Sequence, residues 1–290
     1  GSKHAHHLAW GTCPVLTRSG TSSSQRRTEM RHRVMPPFED RLDLARQLQS
    51  LGFKTGVELG VRRGDFSSAV LGVWPASRYV LVDAWMPLYS RQYVTDRFDQ
   101  NLRDTLHKRI VRGGCTETFE AAATASRCGT VVQLCRNWTH VCAQQFSAGE
   151  FDFVYVDALH DYKGALRDIS IWWPKLRPGG IMAGHDYMDV NSSWADRGDL
   201  PKLKAWRTNY DGSREPTGKL VKGAVDDFFS CRWEVDNEHV VAPTTCAHRR
   251  QVTVATRTTP WKRGLASRLT SRPSARNAQD VYPPTWAVVK

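Results

Sequence analysis

The sequence has no apolar run near the roughly 20 residues that a membrane-spanning helix needs. It also has no Cys-x-x-Cys pair. Its seven cysteines, at 13, 115, 128, 135, 142, 231 and 246, are odd in number and widely spaced. Neither a zinc-finger ligand set nor a complete disulfide framework follows from them. There is no Gly-x-Gly-x-x-Gly and no glycine loop ending in Lys-Ser or Lys-Thr, so the usual dinucleotide and phosphate-loop signatures are missing. No internal repeat is visible, which excludes a solenoid or propeller.

What is present is a surplus of positive charge, +12 in 290 residues. It is unevenly placed. Residues 1–36 hold one Lys and five Arg against Glu29, and residues 263–290 hold one Lys and four Arg against Asp280. Both ends are rich in Ser and Arg, as in RSGTSSSQRR and SRLTSRPSAR. Such composition predicts disordered basic tails at 1–36 and 263–290 around one domain at 37–262. The central stretch is close to neutral, which argues against docking on nucleic acid. The first residues, GSKHAHH, are set aside as a leader-like scar. A basic, Ser-rich start also fits the remnant of an organelle targeting segment, so a cytoplasmic or organellar protein is expected. Asn137-Trp138-Thr139 and Asn191-Ser192-Ser193 match the glycosylation pattern, a motif common by chance.

From about residue 40 the pattern becomes regular. DRLDLARQLQSLGF has helical apolar spacing and stops at Gly52. Short apolar strands follow in TGVELGV, YVLVDAW, GTVVQLC, FDFVYVDA and GIMAGHDY, separated by helical stretches. DFSSAVLGVW reads as a helix with Asp65 as candidate cap, and Asn137 or Thr139 could cap the helix after the third strand. Residues 88–112 also have helical spacing. DYKGALRDISIWWPKL reads as an amphipathic helix, with Trp172 and Trp173 packing on the sheet. KLVKGAVDDFF is a late helix whose Asp226-Asp227 pair reads as a solvated face. CRWEVDN and RRQVTVAT are expected as two closing strands. Strands that alternate with helices and are apolar throughout imply an α/β, doubly wound, mostly parallel sheet. Residues 188–217 show no clear period and are too long for a plain connection, which suggests a binding loop whose Trp194, Trp206 and Tyr210 would help select the ligand.

In open parallel sheets, ligands sit at the carboxyl ends of the strands. Here those ends carry Glu58-Leu59-Gly60, Asp83, Arg136-Asn137, Asp157 and Asp186. Helix capping explains an acid at one or two of them, but four of five is excessive. Gly60 and Gly64 bracket a turn where backbone could approach a ligand. Asp83 suits a ribose, because a carboxylate accepts hydrogen bonds from two neighbouring hydroxyls. Acids at both ends favour a ligand with a ribose and a positive charge over a pyrophosphate.

These motifs resemble those of class I S-adenosylmethionine-dependent methyltransferases. VELGVRRG is similar to the family's first motif and VLVDAW to its second. D-x-x-H-x-Y at 157–162, LRPGG and HDY are similar to the group near catechol-type and macrocin-type O-methyltransferases. The resemblance covers about 40–257. It implies a seven-stranded Rossmann-like sheet with an antiparallel final strand. It implies that Glu58, Gly60 and Gly64 line the amino acid part of the cofactor and that Asp83 holds its ribose. Arg136, Asn137 and Trp138 would lie near the adenine, with Trp138 either stacked on that ring or in the core. Asp157 would border the cofactor as well.

In the metal-dependent members of the group, acids matching Asp157 and Asp186 bind a divalent cation such as Mg²⁺, which lowers the pKa of a substrate hydroxyl. The base position matches His160, a suitable acceptor near neutral pH. Tyr187 stands where that group has an amide, so one metal ligand would have to come from elsewhere. The plainer alternative is that Asp157 and Asp161 cap the next helix and His160 is a loop residue. The expected activity is methyl transfer from S-adenosylmethionine to a small-molecule hydroxyl. The alternatives are a nucleic-acid methyltransferase using the basic tails, a nicotinamide-dependent oxidoreductase, and a non-catalytic cofactor-binding protein. Oligomeric state is left open, and a homo-oligomer is compatible with the sequence.

Overall fold

A computed structural model describes residues 34–86, 100–104, 115–116, 130–191, 200–229, 234–236, 239–241, 250–255 and 284–290. All of them belong to the unit spanning His32–Lys290. Helix α1, Arg41–Ser50, starts where the Asp40 carboxylate accepts the backbone N–H of Leu42 and Asp43. This satisfies two of the orphan donors of a helix start. Leu44, Ala45 and Leu48 make its buried stripe, and Gly52, at φ 68, ends it.

The chain continues through β1 (Thr55–Leu59), α2 (Asp65–Leu71), β2 (Arg78–Val82), β3 (Cys115–Thr116), β4 (Val131–Cys135) and the single turn α3 (Thr139–Cys142). Then come β5 (Phe151–Val156), α4 (Tyr162–Trp172), β6 (Leu176–Gly184), α5 (Leu200–Trp206) and α6 (Val221–Phe229). A small hairpin, β7 (Glu234–Asp236) with β8 (His239–Val241), precedes β9 (Thr253–Val254) and β10 (Trp286–Val289). The main sheet runs β3-β4-β2-β1-β5-β6-β10-β9. Strands β1 to β6 are parallel, and β10 is antiparallel to both its neighbours. Among the described residues the sheet thus has the expected doubly wound form, with a two-residue β9 as an eighth strand. The order reverses between β1 and β5, which puts the switch point beside Leu59 and Val156.

Strand alternation divides the core into two layers. Val57, Val80, Val154, Val156 and Val288 face α4 and α6, where Ile169, Trp172 and Phe229 are buried. Tyr79, Leu81, Phe153, Tyr155 and Ala183 face α1 and α2, where Leu44, Leu48 and Phe66 are buried. Glu58, opposite Leu81 and Tyr155 in register, falls on the second face. Buried Asp168 on α4 accepts the Thr139 hydroxyl, pinning α3 to α4, and burial pushes its carboxyl up to about 6.

Several expectations need correction. The fold does not end at 262, because Trp286, Ala287 and Val288 are fully buried between β6 and β9. Four apolar residues in a row suit a strand covered on both faces. They follow an Arg/Ser/Pro-rich stretch whose composition masks them. The Lys290 ammonium donates to the carbonyls of Trp173 and Leu176 at 2.9 and 2.7 Å, fixing the last residue. At the other end Met35 is already core, and its carbonyl accepts the Thr253 hydroxyl. Residues 1–33 and 256–283 lie outside the described residues, as does most of the helix expected at 88–112, of which 100–104 are helical. CRWEVDN gives β7, which pairs with β8 rather than with the main sheet. Helix α2 is capped by Gly64 at φ 68, with Asp65 as its first residue. Helix α3 is capped by Trp138 without a side-chain bond, so neither Asn137 nor Thr139 caps it. The segment 188–217 contains α5, and its Trp194 lies outside the described residues.

Candidate active site

Three strand ends are laced together around Asp83. Its Oδ2 accepts the Arg62 N–H at 2.7 Å and its Oδ1 the Trp85 N–H at 2.8 Å. A carboxylate has about four acceptor positions, so capacity for ligand hydroxyls remains. Burial pushes the Asp83 pKa up, against the backbone N–H groups of Trp85, Arg62 and Val61. Trp85, buried at φ 38, donates its indole N–H to the Arg62 carbonyl. Its own carbonyl accepts from the Arg136 guanidinium at 2.8 Å. Arg62, at φ 53, is also left-handed. Arg136 therefore binds backbone between the β2 and β4 ends. Trp85 is a supporting residue that the sequence analysis missed. Asn137 and Trp138, both half-buried, follow the end of β4, and the Asn137 side chain accepts the Trp138 N–H. Cys135 and Cys142 form a disulfide across this turn, a pair that cysteine spacing did not identify.

Gly60 makes the switch point. Its φ is 84, and its N–H donates to the Val82 carbonyl. A Cβ added here would lie 2.1 Å from the Asp157 carbonyl oxygen. The Asp157 N–H in turn donates to the Leu59 carbonyl at 2.8 Å. The β1 and β5 ends touch through backbone, and only glycine permits that approach. Beside them Glu58 is 1 % exposed, and its Oε2 has no hydrogen-bond partner. Burial, with Asp157 and Asp83 nearby, holds its carboxyl well above the usual range.

Past the ends of β5 and β6, Asp157, His160 and Asp186 come together. His160 Nε2 lies 2.9 Å from Asp186 Oδ2 and 3.4 Å from Asp157 Oδ1. His185, noted from sequence only as the neighbour of Asp186, places Nδ1 3.1 Å from the same Asp186 oxygen. Burial alone would raise the Asp186 pKa. The His185 and His160 imidazoles outweigh it and hold the carboxyl well below the usual carboxylate range. Asp186 sits at φ 52, an uncommon conformation for a non-glycine residue. The His160 ring stacks on Trp206 of α5, with centroids 4.4 Å apart and planes 11° apart.

Asp161 caps α4 by accepting the Gly164 N–H, and it also accepts from Tyr210 N–H. The latter bond holds the end of the long segment against α4. Met188, Leu203, Trp206 and Leu220 form a small core under that segment, which is how Trp206 reaches His160. Trp206 was legible as a residue of a binding loop, but a polar stretch without a period does not reveal this small core or the contact with His160. Asp226 and Asp227 are not a solvated face. They accept the Tyr187 and Tyr162 hydroxyls at 2.5 and 2.9 Å and pair with Lys222 and Lys219. These bonds tie α6 to the β6 exit and to α4.

Donor atoms of Asp157, His160 and Asp186 all lie within 4.8 Å of one another, close enough to share a cation. Two carboxylates and an imidazole depart from the all-oxygen shell that Mg²⁺ prefers and resemble the sets used for first-row transition metals. His160 Nε2 already lies 2.9 Å from Asp186 Oδ2.

A doubly wound sheet with acids and a glycine turn at its switch point defines an α/β domain whose candidate site lies at the carboxyl ends of its strands. Residues 57–187, a little under half of the chain, match the family described as a methyltransferase domain. No curated protein matches the sequence. Similar solved structures include an O-methyltransferase from Bacillus cereus in complex with SAH, at 12% identity and TM-score 0.42, covering 94% of this chain and 93% of that one. The O-methyltransferase TomG from Streptomyces achromogenes, in complex with SAM, is 14% identical at TM-score 0.43, with 95% and 92% covered. The N-methyltransferase NodS from Bradyrhizobium japonicum is 13% identical at TM-score 0.40, with 86% and 93% covered. Among the described residues no helix is long and apolar enough to cross a membrane.

Proposed function

We propose that the chain moves the methyl group of S-adenosylmethionine to a hydroxyl oxygen of a small-molecule acceptor, with His160 as the base. The observation that carries this reading is the position of His160, bonded to Asp186 at 2.9 Å and stacked on Trp206 beside the β5 and β6 ends. S-adenosylmethionine supplies a sulfonium methyl that an oxygen nucleophile can attack in line. The chain's own work is placement and proton removal. With Nε2–H donated to Asp186, the imidazole lone pair falls on Nδ1, the atom that takes the hydroxyl proton. Asp186 fixes that tautomer and stabilises the imidazolium that forms, as a buried carboxylate does for other catalytic histidines. Glu58, Gly60, Gly64, Asp83, Asn137, Trp138 and Asp157 form the cofactor wall in this reading.

A second reading has one observation in its favour, the closeness of the three donor atoms. Asp157 and Asp186 would then hold a divalent cation that acidifies the acceptor hydroxyl. The test uses methyl-labelled S-adenosylmethionine and a panel of phenols, alcohols and amines, with and without EDTA. The dyad reading predicts a labelled methyl ether and a rate that EDTA leaves unchanged. An EDTA loss restored by Mg²⁺ or Mn²⁺ would replace it with the metal reading. Label found only on amines would overturn transfer to oxygen.

A further inference from the structure

Cys135 is the last residue of β4 and Cys142 the last of α3, and a disulfide joins them across a sequence separation of 7. The loop it closes contains Arg136, Asn137 and Trp138. That loop is tied straight into the candidate site. The Cys135 carbonyl accepts the Asp83 N–H at 3.2 Å, and the Arg136 guanidinium donates to the Trp85 carbonyl at 2.8 Å. The covalent bond therefore stands directly behind the backbone that carries Asp83. The turn itself has weak local support. Helix α3 is 4 residues long and has no side-chain cap, and a helix that short is not stable by itself. The Thr139 hydroxyl anchors it to Asp168 of α4. Strand β4, by contrast, pairs with β2 along its whole length, from Val131 to Cys135. Cutting the disulfide would thus release the turn and leave the sheet in place.

We propose that the Cys135–Cys142 disulfide is a redox-sensitive latch on cofactor binding. Oxidised, it holds the turn from Arg136 to Trp138 in its binding form; reduced, it lets the turn go. This inference rests on the proposed function, in which Asn137 and Trp138 border the cofactor and Asp83 holds its ribose. The reductant is a dithiol. One of its thiolates attacks a protein sulfur to give a mixed disulfide, and its second thiol then displaces that sulfur. Two electrons and two protons pass to the chain, leaving Cys135 and Cys142 as thiols and the reductant as a cyclic disulfide. A loop ordered beforehand spares the ligand the cost of ordering it. Linkage makes the effect reciprocal, so bound ligand must favour the oxidised pair by the same factor. Cys135 is 6 % exposed and Cys142 0 %, so a reductant reaches the bond only when the turn opens. The plainer role is a static staple, which adds to fold stability and leaves ligand affinity alone.

Calorimetry with S-adenosylhomocysteine separates the two roles. The samples are oxidised wild type, wild type reduced with dithiothreitol, and the double variant Cys135→Ser with Cys142→Ser. The latch predicts affinity about tenfold weaker in the last two, with cooperative thermal unfolding retained. Dithiothreitol should change nothing further in the double variant, which assigns the effect to this pair and not to the other cysteines. A second measurement poises the wild type in dithiothreitol redox buffers and reads Cys135 and Cys142 by alkylation and peptide mass spectrometry. Saturating S-adenosylhomocysteine should make the bond about tenfold harder to reduce at equilibrium. If the double variant does not fold, oxidised and reduced wild type still decide the matter. Equal affinity in the two folded wild-type forms overturns the latch, and a lower Tm beside it leaves a staple. A redox midpoint unmoved by ligand, or a bond that dithiothreitol cannot reduce in the folded chain, overturns it too. Oxidised wild type that binds no S-adenosylhomocysteine would refute the cofactor reading itself, and the latch with it.

Discussion

His160→Ala is expected to lower methyl transfer by roughly 10²–10⁴-fold, the usual span for loss of a general base, with S-adenosylhomocysteine affinity unchanged. The fold should tolerate the change. Asp186 is 4 % exposed, but it keeps the His185 Nδ1 at 3.1 Å, so the buried carboxylate retains a side-chain partner. Trp206 loses a stacking partner worth about 1 kcal/mol, and Met188, Leu203 and Leu220 still hold it. His160→Gln keeps a hydrogen-bonding side chain and cannot take the proton, so it should be as slow as the alanine variant. Single-turnover rates with an acceptor, read beside calorimetry, make the check. A variant that turns over at the wild-type rate would leave His160 as a packing residue on Trp206.

Gly60→Ala has the largest expected effect on the cofactor wall. The new methyl would sit 2.1 Å from a backbone oxygen, at φ 84. Backbone cannot rotate aside as a side chain can, so the β1 and β5 ends must separate. That breaks the Asp157 N–H to Leu59 contact at 2.8 Å and displaces Asp157. A cost of about 3 kcal/mol or more follows, equivalent to a fall in Tm of roughly 6–12 °C, with loss of S-adenosylhomocysteine binding. Gly212→Ala is the matched control. Its φ is 82, yet nothing lies within 4 Å of the added carbon. It should cost only the left-handed strain, about 1 kcal/mol, and leave binding intact. Equal shifts in the two variants would mean that conformation, and not the close approach to Asp157, accounts for the glycine.

The strand ends were legible because each apolar run stops at a polar residue, and parallel sheets bring those stops to one edge. That logic placed Glu58, Asp83, Asp157 and Asp186 at one edge without any contact information, and the family resemblance added His160 at the base position. It could not find partners supplied by other elements. Trp85 and Arg136 act through backbone carbonyls, which no residue pattern records. Trp206 arrives from a helix more than 40 residues away from the group it meets. Asp226 and Asp227 look like surface charge until Tyr187 and Tyr162 are placed against them. Strand β10 is missed for a different reason. Four apolar residues give no period, and the composition before them points to a tail.

The most direct measurement of the central claim is calorimetric titration of the whole chain with S-adenosylhomocysteine, with Asp83→Ala beside it. Binding at one site per chain is predicted for the wild type. Asp83→Ala should weaken it by roughly tenfold or more, since in the proposed function the carboxylate receives the ribose hydroxyls, and it also fixes the Arg62 and Trp85 backbone. A folded wild-type chain that takes up no S-adenosylhomocysteine, or an Asp83→Ala chain that binds it as tightly as wild type, would contradict the account.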